Sequence, residues 1–355
     1  MSRYTVIGVM SGTSLDGLDI ALCQFEKKSN KWNFRVLEAK TDPYSREWKQ
    51  QLTHAIKLNG QELIKLDSTY GAYIGEKVNK FLKKHPIRID FISSHGHTVY
   101  HQPEKRVTFQ IGNSADILAK SGITTISNFR SVDVALGGQG APLVPVGDEL
   151  LFPEYKYCLN LGGIANISFN QKGKRIASDI CPVNMAINYL MQKVNKEIDK
   201  DGEMAHSGML IPQLLVQLNN LDFYKKPGPK SLGREWFESE FMPILDKHDF
   251  GLRDLLRTTY EHITTQITLA TESSVKKPVL ITGGGAHNKF LIDLLKAKTN
   301  HQIIIPDKQI IDFKEALVFA FLGVLRMRHE INCLASVTGA KKDSVGGCVY
   351  GTMNV

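Results

Sequence analysis

The chain lacks the features that would take it out of the ordinary globular class. It has no low-complexity tract, no long Gly/Pro linker and no apolar run able to span a bilayer; the longest, Ala316 to Leu325, is too short. No basic flank, apolar h-region or small-residue cleavage site precedes the first predicted strand, so the expectation is a cytoplasmic protein with no membrane partner. Its five cysteines (Cys23, Cys158, Cys181, Cys333, Cys348) are scattered, odd in number and without CxxC spacing. That pattern argues for a reducing compartment and against structural zinc. There is no basic stripe with interleaved aromatics, so the net charge of +8 reads as dispersed surface lysines such as Lys27, Lys28, Lys83 and Lys84. Such a surface is compatible with anionic small molecules and gives no reason to expect nucleic acid. A P-loop is also missing, because the Ser/Gly-rich turn near the N-terminus holds no lysine.

What is present begins with that turn. An apolar run from Thr5 to Met10 gives way to Ser11-Gly-Thr-Ser-Leu-Asp-Gly17, and a second apolar run follows, as expected for a β-hairpin. The turn packs three hydroxyls, two glycines and a carboxylate into seven residues. Glycines let backbone N–H groups approach an anion, hydroxyls add donors, and a carboxylate suits hydrated Mg²⁺. The turn therefore reads either as a phosphate loop or as a plain Ser/Gly hairpin.

At 355 residues, with 42% apolar and 23% charged residues, the chain is long enough for two domains of ordinary globular composition. After the hairpin the pattern predicts a strand over Trp32–Ala39, helices over Ser45–His54 and Gln61–Lys84, a buried strand at Ile89–Ile92, and strands at Val107–Ile111 and Ile123–Ile126 with a helix between. The Gly-rich passage Leu136–Pro142 marks a boundary, giving an N-terminal lobe over 1–135 and a C-terminal lobe over 136–355. The last helix and tail are left free to pack back on the first lobe. The second half starts as the first does. Strands are predicted over Tyr155–Leu161, Ile164–Phe169 and Arg175–Asp179, then helices, a buried strand at Val279–Thr282, a strand at Ile303–Ile305, and a helix over Phe313–Arg328. The repetition is architectural, with no residue-level repeat, and it predicts two α/β lobes around a cleft.

Four further features carry candidate chemistry. Asn160-Leu-Gly-Gly-Ile-Ala-Asn166 is a second Gly turn between strands, and Thr282-Gly-Gly-Gly-Ala-His-Asn288 runs from a buried strand into a helix, an ordinary setting for nucleotide contact. Asp179 is expected at a strand end just before a helix begun by Pro182, where it could cap that helix or act as a general base. His95, His97 and His101 form H-x-H-x3-H at a strand end. Two such histidines on one strand point to the same side, as in metal hydrolases, but no later set of ligands accompanies them and Gly96 breaks the regular strand, so no metal site is expected and a cleft-lining role is preferred.

Taken together, these passages resemble the anhydro-N-acetylmuramic acid kinases, within the actin, heat-shock chaperone and hexokinase ATPase superfamily. The resemblance rests on Met10–Gly17, Ser94–Thr98, Gln110–Gly112, Asn128–Arg130, Gly137–Pro145, Asn160–Ile167, Asp201–Gly202, Pro229–Glu235, Gly283–Asn288, Glu315–Ala316 and Ser336–Ala340. It implies an actin-like ATPase fold, two ribonuclease H-like lobes around a nucleotide cleft, and a phosphotransferase that uses ATP and Mg²⁺ on 1,6-anhydro-N-acetylmuramic acid while water opens the ring. The product would be N-acetylmuramic acid 6-phosphate, an intermediate of cell-wall recycling. Carried over by residue, Gly12, Thr13, Ser14, Leu15, Asp16, Gly17, Leu18 and Asp19 would bind the ATP phosphates, Asn160, Gly162 and Gly163 would form the second phosphate loop, and Gly283, Gly284 and Gly285 would lie near adenosine. Asp179 would be the catalytic base; His97, Thr98, Arg130 and Glu315 would contact the sugar, with the Arg130 guanidinium suited to its carboxylate. A homodimer is suggested by the resemblance alone. The chain departs from the family where Asp179 is followed by Ile180-Cys-Pro-Val-Asn184 in place of Thr-Gly-Pro-Gly-Asn, and where His97 replaces a usual Gln. Bulkier Ile180, Cys181 and Val183 would reshape the sugar pocket. The alternatives are therefore a kinase for another amino sugar, or an ATP-binding switch of the same fold.

Overall fold

The computed structural model describes residues 3–12, 15–247 and 249–351. Thr13 and Ser14 of the first Gly turn lie outside the described residues. The chain divides into two compact units, residues 1–151 with 313–355, and residues 152–312. The passage 136–151 thus belongs with the first unit, as does the last long helix, Lys308–Met327, from Phe313 onward. No described helix is long and apolar enough to cross a membrane.

Unit 1 is built on a six-stranded sheet of β1 (Arg3–Ser11), β2 (Gly17–Lys28), β3 (Lys31–Pro43), β4 (Phe91–Ser94), β7 (Thr125–Ser127) and β13 (Cys348–Tyr350), with β5 (His97–Gln102) and β6 (Val107–Ile111) forming a separate pair. Strands β1 to β3 form an antiparallel meander; β1, β4 and β7 run parallel; and β13 closes the edge antiparallel to β7. Unit 2 holds β8 (Tyr157–Leu161), β9 (Ile164–Gln171), β10 (Lys174–Pro182), β11 (Pro278–Thr282) and β12 (Gln302–Ile304) in the order β10-β9-β8-β11-β12. Again the first three strands are an antiparallel meander, and β8, β11 and β12 are parallel. The mixed α/β architecture expected from the sequence is therefore present, and so is its repetition.

Local chemistry explains the elements that position the site. Helix Gly60–Leu82 starts at a capping box, Asn59 accepting from the Glu62 N–H while Glu62 accepts from the Asn59 N–H. It buries Leu66, Tyr70, Ile74, Val78 and Phe81 at helical spacing against the β1–β2 core. Helix Lys308–Met327 is buried nearly all round from Ala316 to Ala320. It comes so close to β1 that a Cβ on Gly8 would collide with the Ala316 carbonyl oxygen, so only glycine fits there. Unit 2 has its own core, formed by β8 to β11 and the helices Asn184–Gln192, Leu252–Ala270 and Lys289–Lys298.

Candidate active site

In unit 1 the β1–β2 turn is tied at both ends. Leu15 has a left-handed backbone (φ 59) and its N–H meets the Gly12 carbonyl at 3.4 Å. Gly17 lies against β3, where a Cβ would fall 2.6 Å from the Asp42 oxygen. Asp16 is exposed, and Asp19 accepts from Thr41 Oγ1 at 2.6 Å. Leu18 points into the core, so its side chain is not available to a ligand. Ser11, at the entrance to the turn, begins a buried polar chain: its Oγ lies 3.0 Å from His97 Nδ1 and accepts from Tyr44 at 2.8 Å, and the Tyr44 and Tyr70 hydroxyls are 2.6 Å apart. Desolvation drives the His97 pKa down to about 4 and pushes Tyr44 up to about 12, so both stay neutral at physiological pH. Neither Tyr44 nor Tyr70 stands out in the sequence, because both are amphipathic residues whose hydroxyls periodicity does not see.

The three histidines do not act as a set. Gly96 (φ +76) breaks the extended run between His95 and His97, as expected from the sequence, so the two do not share a strand face. His95 turns to Arg130, accepting at Nε2 from Nη2 at 2.8 Å and from Nε at 3.1 Å, while its Nδ1 lies 2.9 Å from the Gly96 carbonyl. A cation donating to Nε2 requires that nitrogen bare, so the proton sits on Nδ1 and donates to Gly96. Burial first, then the Arg130 charge, holds the His95 pKa well below its usual value. Arg130 Nη1 donates to the Gly140 carbonyl at 2.6 Å. The Gly140 N–H in turn donates to buried Asp133, which also accepts from Thr338 Oγ1 and Cys333 Sγ. The Gly-rich passage read as a domain boundary is thus a strap holding Arg130. Burial lowers the Arg130 pKa to about 10, with the charge of Glu315 acting in the opposite sense. Glu315 is exposed on helix Lys308–Met327, and Thr98 is half-buried on β5 opposite Gln110.

In unit 2 the two expected nucleotide loops come together. Strands β8 and β11 are paired with Asn160 beside Thr282, so their following loops emerge side by side. A Cβ on Gly283 (φ +82) would lie 2.5 Å from Asn160 Oδ1, and one on Gly285 would lie 2.7 Å from Leu161 Cβ. The Gly162 and Gly163 carbonyls accept from the N–H groups of Asn184, Val183 and Met185, and Asn184 Nδ2 reaches the Leu161 carbonyl at 3.2 Å. Asn160, Gly162, Gly163, Gly283, Gly284 and Gly285 therefore share one corner with Asn184. Gly163 has the most room of these glycines: its φ is not positive, and an added Cβ would meet only Met185 Cε, at 3.9 Å.

Asp179 does not cap a helix. Strand β10 runs on to Pro182, with a bulge between Asp179 and Cys181, and the helix starts at Asn184. Instead Asp179 Oδ2 accepts from the Leu232 N–H at 2.7 Å and Ser231 Oγ at 3.1 Å, and its own N–H donates to the Lys230 carbonyl at 2.8 Å. Oδ1 has no hydrogen bond from the described residues. Burial raises the Asp179 pKa, with the Leu232 and Ser231 hydrogen bonds opposing. One anchored oxygen and one available oxygen is the geometry of a base. The departures after Asp179 point elsewhere: Ile180, Cys181 and Val183 are all buried in the unit 2 core, so they do not line a pocket. Burial pushes the Cys181 thiol far up, which excludes it as a nucleophile.

A family model described as "Anhydro-N-acetylmuramic acid kinase" matches residues 4–352. The anhydro-N-acetylmuramic acid kinase of Sulfurimonas denitrificans is 33% identical over 375 residues, covering 99% of this chain and 100% of its own. That of Actinobacillus pleuropneumoniae serotype 5b is 36% identical over 371 residues, with the same coverage. Among solved structures, component A of (R)-2-hydroxyglutaryl-CoA dehydratase from Acidaminococcus fermentans is 12% identical, covers 89% of this chain and 96% of its own, and superposes with a TM-score of 0.45, a likeness too distant to bear on chemistry.

Proposed function

The chain belongs to the anhydro-N-acetylmuramic acid kinase family, and from that membership we propose that it phosphorylates 1,6-anhydro-N-acetylmuramic acid with ATP as water opens the anhydro ring. The observation that carries the reading is Asp179, held through one carboxylate oxygen with the other available as a base. Its free oxygen takes a proton from water as that water attacks the anomeric carbon. The bond from that carbon to the bridging oxygen breaks, and the released oxygen takes the γ-phosphoryl group, leaving ADP and N-acetylmuramic acid 6-phosphate. Ile180, Cys181 and Val183 are core residues, so this segment supplies no reason to prefer another sugar. The same reading places the enzyme in the cytoplasm, in cell-wall recycling, as a homodimer.

Phosphoryl transfer rests on positioning and charge. We assign the phosphates to the N–H groups of the Gly12–Asp19 turn and the Asn160–Gly163 turn, and the adenosine to Gly283–Gly285. Among the described residues no three His, Cys, Asp or Glu side chains form a metal cage. The turn offers Asp16 and Asp19, hard oxygen donors of the kind Mg²⁺ takes one or two of beside phosphate oxygens and water. When bound there it would neutralise phosphate charge. The sugar contacts are assigned to His97, Thr98, Arg130 and Glu315.

Two measurements test this reading. With Mg·ATP and a panel of anhydro and ordinary amino sugars, ADP release should depend on the anhydro sugar, and the product should carry both a new phosphate and a free anomeric hydroxyl. Sugar-independent ADP release would sink it in favour of the ATP switch. Gly163→Ala tests the phosphate turn. Because its Cβ would meet no protein atom closer than 3.9 Å, thermal stability should hold, while the ATP KM rises about tenfold through lost backbone approach to the phosphate. An unchanged ATP KM would remove this turn from the nucleotide site.

A further inference from the structure

We propose that Tyr70, Tyr44 and Ser11 order their protons so that His97 is held as the Nε2–H tautomer, making it a hydrogen-bond donor to an acceptor oxygen of the sugar. The proposal rests on the sugar-kinase reading above. It follows from counting protons along the chain. Tyr44 donates to Ser11 Oγ at 2.8 Å, which uses the only proton a phenol has. The 2.6 Å contact between the Tyr44 and Tyr70 hydroxyls must then be Tyr70 donating to Tyr44. Among the described residues Ser11 Oγ is hydrogen-bonded only to Tyr44, from which it accepts, and to His97, so its single proton goes to His97 Nδ1 at 3.0 Å. That nitrogen is therefore a bare acceptor, and a neutral imidazole must carry its proton on Nε2.

Burial makes the ordering durable. Ser11, Tyr44, Tyr70 and His97 are 2%, 5%, 0% and 5% exposed, so bulk water has little access to exchange partners with them. His97 remains neutral by desolvation, and Nε2 has no partner among the described residues. The result is an uncharged donor with a fixed direction. It does for a histidine what a primary amide does without help, since an amide always presents N–H. His95, two residues earlier, carries the opposite tautomer because Arg130 claims its Nε2. Two neighbouring histidines are thus set to opposite roles by different partners. Tyr70, Tyr44 and Ser11 act here as positioning residues, through His97.

The test begins with a long-range ¹H–¹⁵N correlation spectrum of histidine-labelled protein without ligands, in which His97→Gln identifies the His97 signals. His97 should show a protonated Nε2 and a bare Nδ1, and Tyr44→Phe should shift it toward a mixture of tautomers. In the same variant the sugar KM should rise about threefold to tenfold, the worth of one hydrogen bond, with kcat less affected. In the His97→Gln background Tyr44→Phe should change the sugar KM by no more than about twofold, because the amide no longer depends on Ser11. Should Tyr44→Phe fail to fold, Ser11→Ala, which removes the hydroxyl that donates to His97 Nδ1, gives the same readouts. A protonated Nδ1 in wild type, or an equal KM effect of Tyr44→Phe with and without His97→Gln, would overturn the relay. If no sugar supports ADP release while Nε2 stays protonated, the failure lies in the sugar-kinase reading, and the donor role falls with it.

Discussion

Asp179→Asn should reduce sugar-dependent ADP release by about a hundredfold to ten-thousandfold, the range that a positioned general base contributes, while leaving the protein folded and nucleotide binding nearly intact. The substitution keeps the shape of the side chain, and an amide oxygen can still accept from the Leu232 N–H now bonded at 2.7 Å. What it removes is the capacity of the second oxygen to take a proton. The pH dependence gives an independent readout. Burial raises the Asp179 pKa, so the acid limb of kcat/KM should lie above the ordinary carboxylate range, activity falling as pH drops through that raised value. Stability runs the other way. A carboxyl whose pKa is higher folded than unfolded stabilises the protein as pH falls and costs stability once both states are ionised. Asp179→Asn should therefore be as stable as wild type, or more so, at neutral pH. A variant that keeps wild-type turnover would remove Asp179 from the chemistry, and one that loses turnover only because it unfolds would leave thermal melting, not kinetics, as the altered property.

Much of the architecture was legible because it is carried by local pattern. The hairpin around Ser11–Gly17 and its counterpart around Gly162–Gly163 are each an apolar run, a Gly turn and another apolar run, and both fold as antiparallel meanders. Parallel pairing of β8 with β11 joins residues more than a hundred positions apart, yet short apolar runs ending in glycines were enough to suggest buried strands there. The site was less legible where function depends on side-chain partners. Asp179 left helix cap and general base both open, because Pro182 reads as a helix start; the strand continues through Pro182, which removes the cap, and the anchoring donors come from Ser231 and Leu232, far away in sequence. His95 and His97 would share a strand face only if alternation ran on through Gly96, and that glycine has a left-handed backbone. Ile180, Cys181 and Val183 looked like a rebuilt pocket because they follow the base, yet the bulge at Asp179 accompanies a segment whose side chains are in the core. These ambiguities share one origin: sequence spacing reports which face a residue occupies only while the backbone stays regular.

Arg130 carries the second large effect. A guanidinium has five N–H groups, and three are engaged here: Nε and one on Nη2 at His95, and one on Nη1 at Gly140. One N–H remains on each terminal nitrogen, an end-on pair matched to the two oxygens of a carboxylate. Gly140 is held by Asp133 and His95 is fixed in its tautomer, so the fork is set before any ligand arrives and little is lost in ordering it. Arg130→Lys should then reduce kcat/KM for the carboxylate-bearing anhydro sugar by about a hundredfold, or ~3 kcal/mol, within the range for removing one partner of a buried charged pair. A lysine ammonium keeps the charge but cannot hold His95, Gly140 and both carboxylate oxygens together. The same substitution assayed with an anhydro amino sugar that lacks the lactyl carboxylate separates recognition from structure. There the loss should be about tenfold or less, since no carboxylate contact remains to be broken. Wild type should favour the carboxylate sugar, and that preference should nearly vanish in the variant. Equal losses for the two sugars would mean that Arg130 only braces the His95–Gly140 strap, and the carboxylate would have to be bound elsewhere.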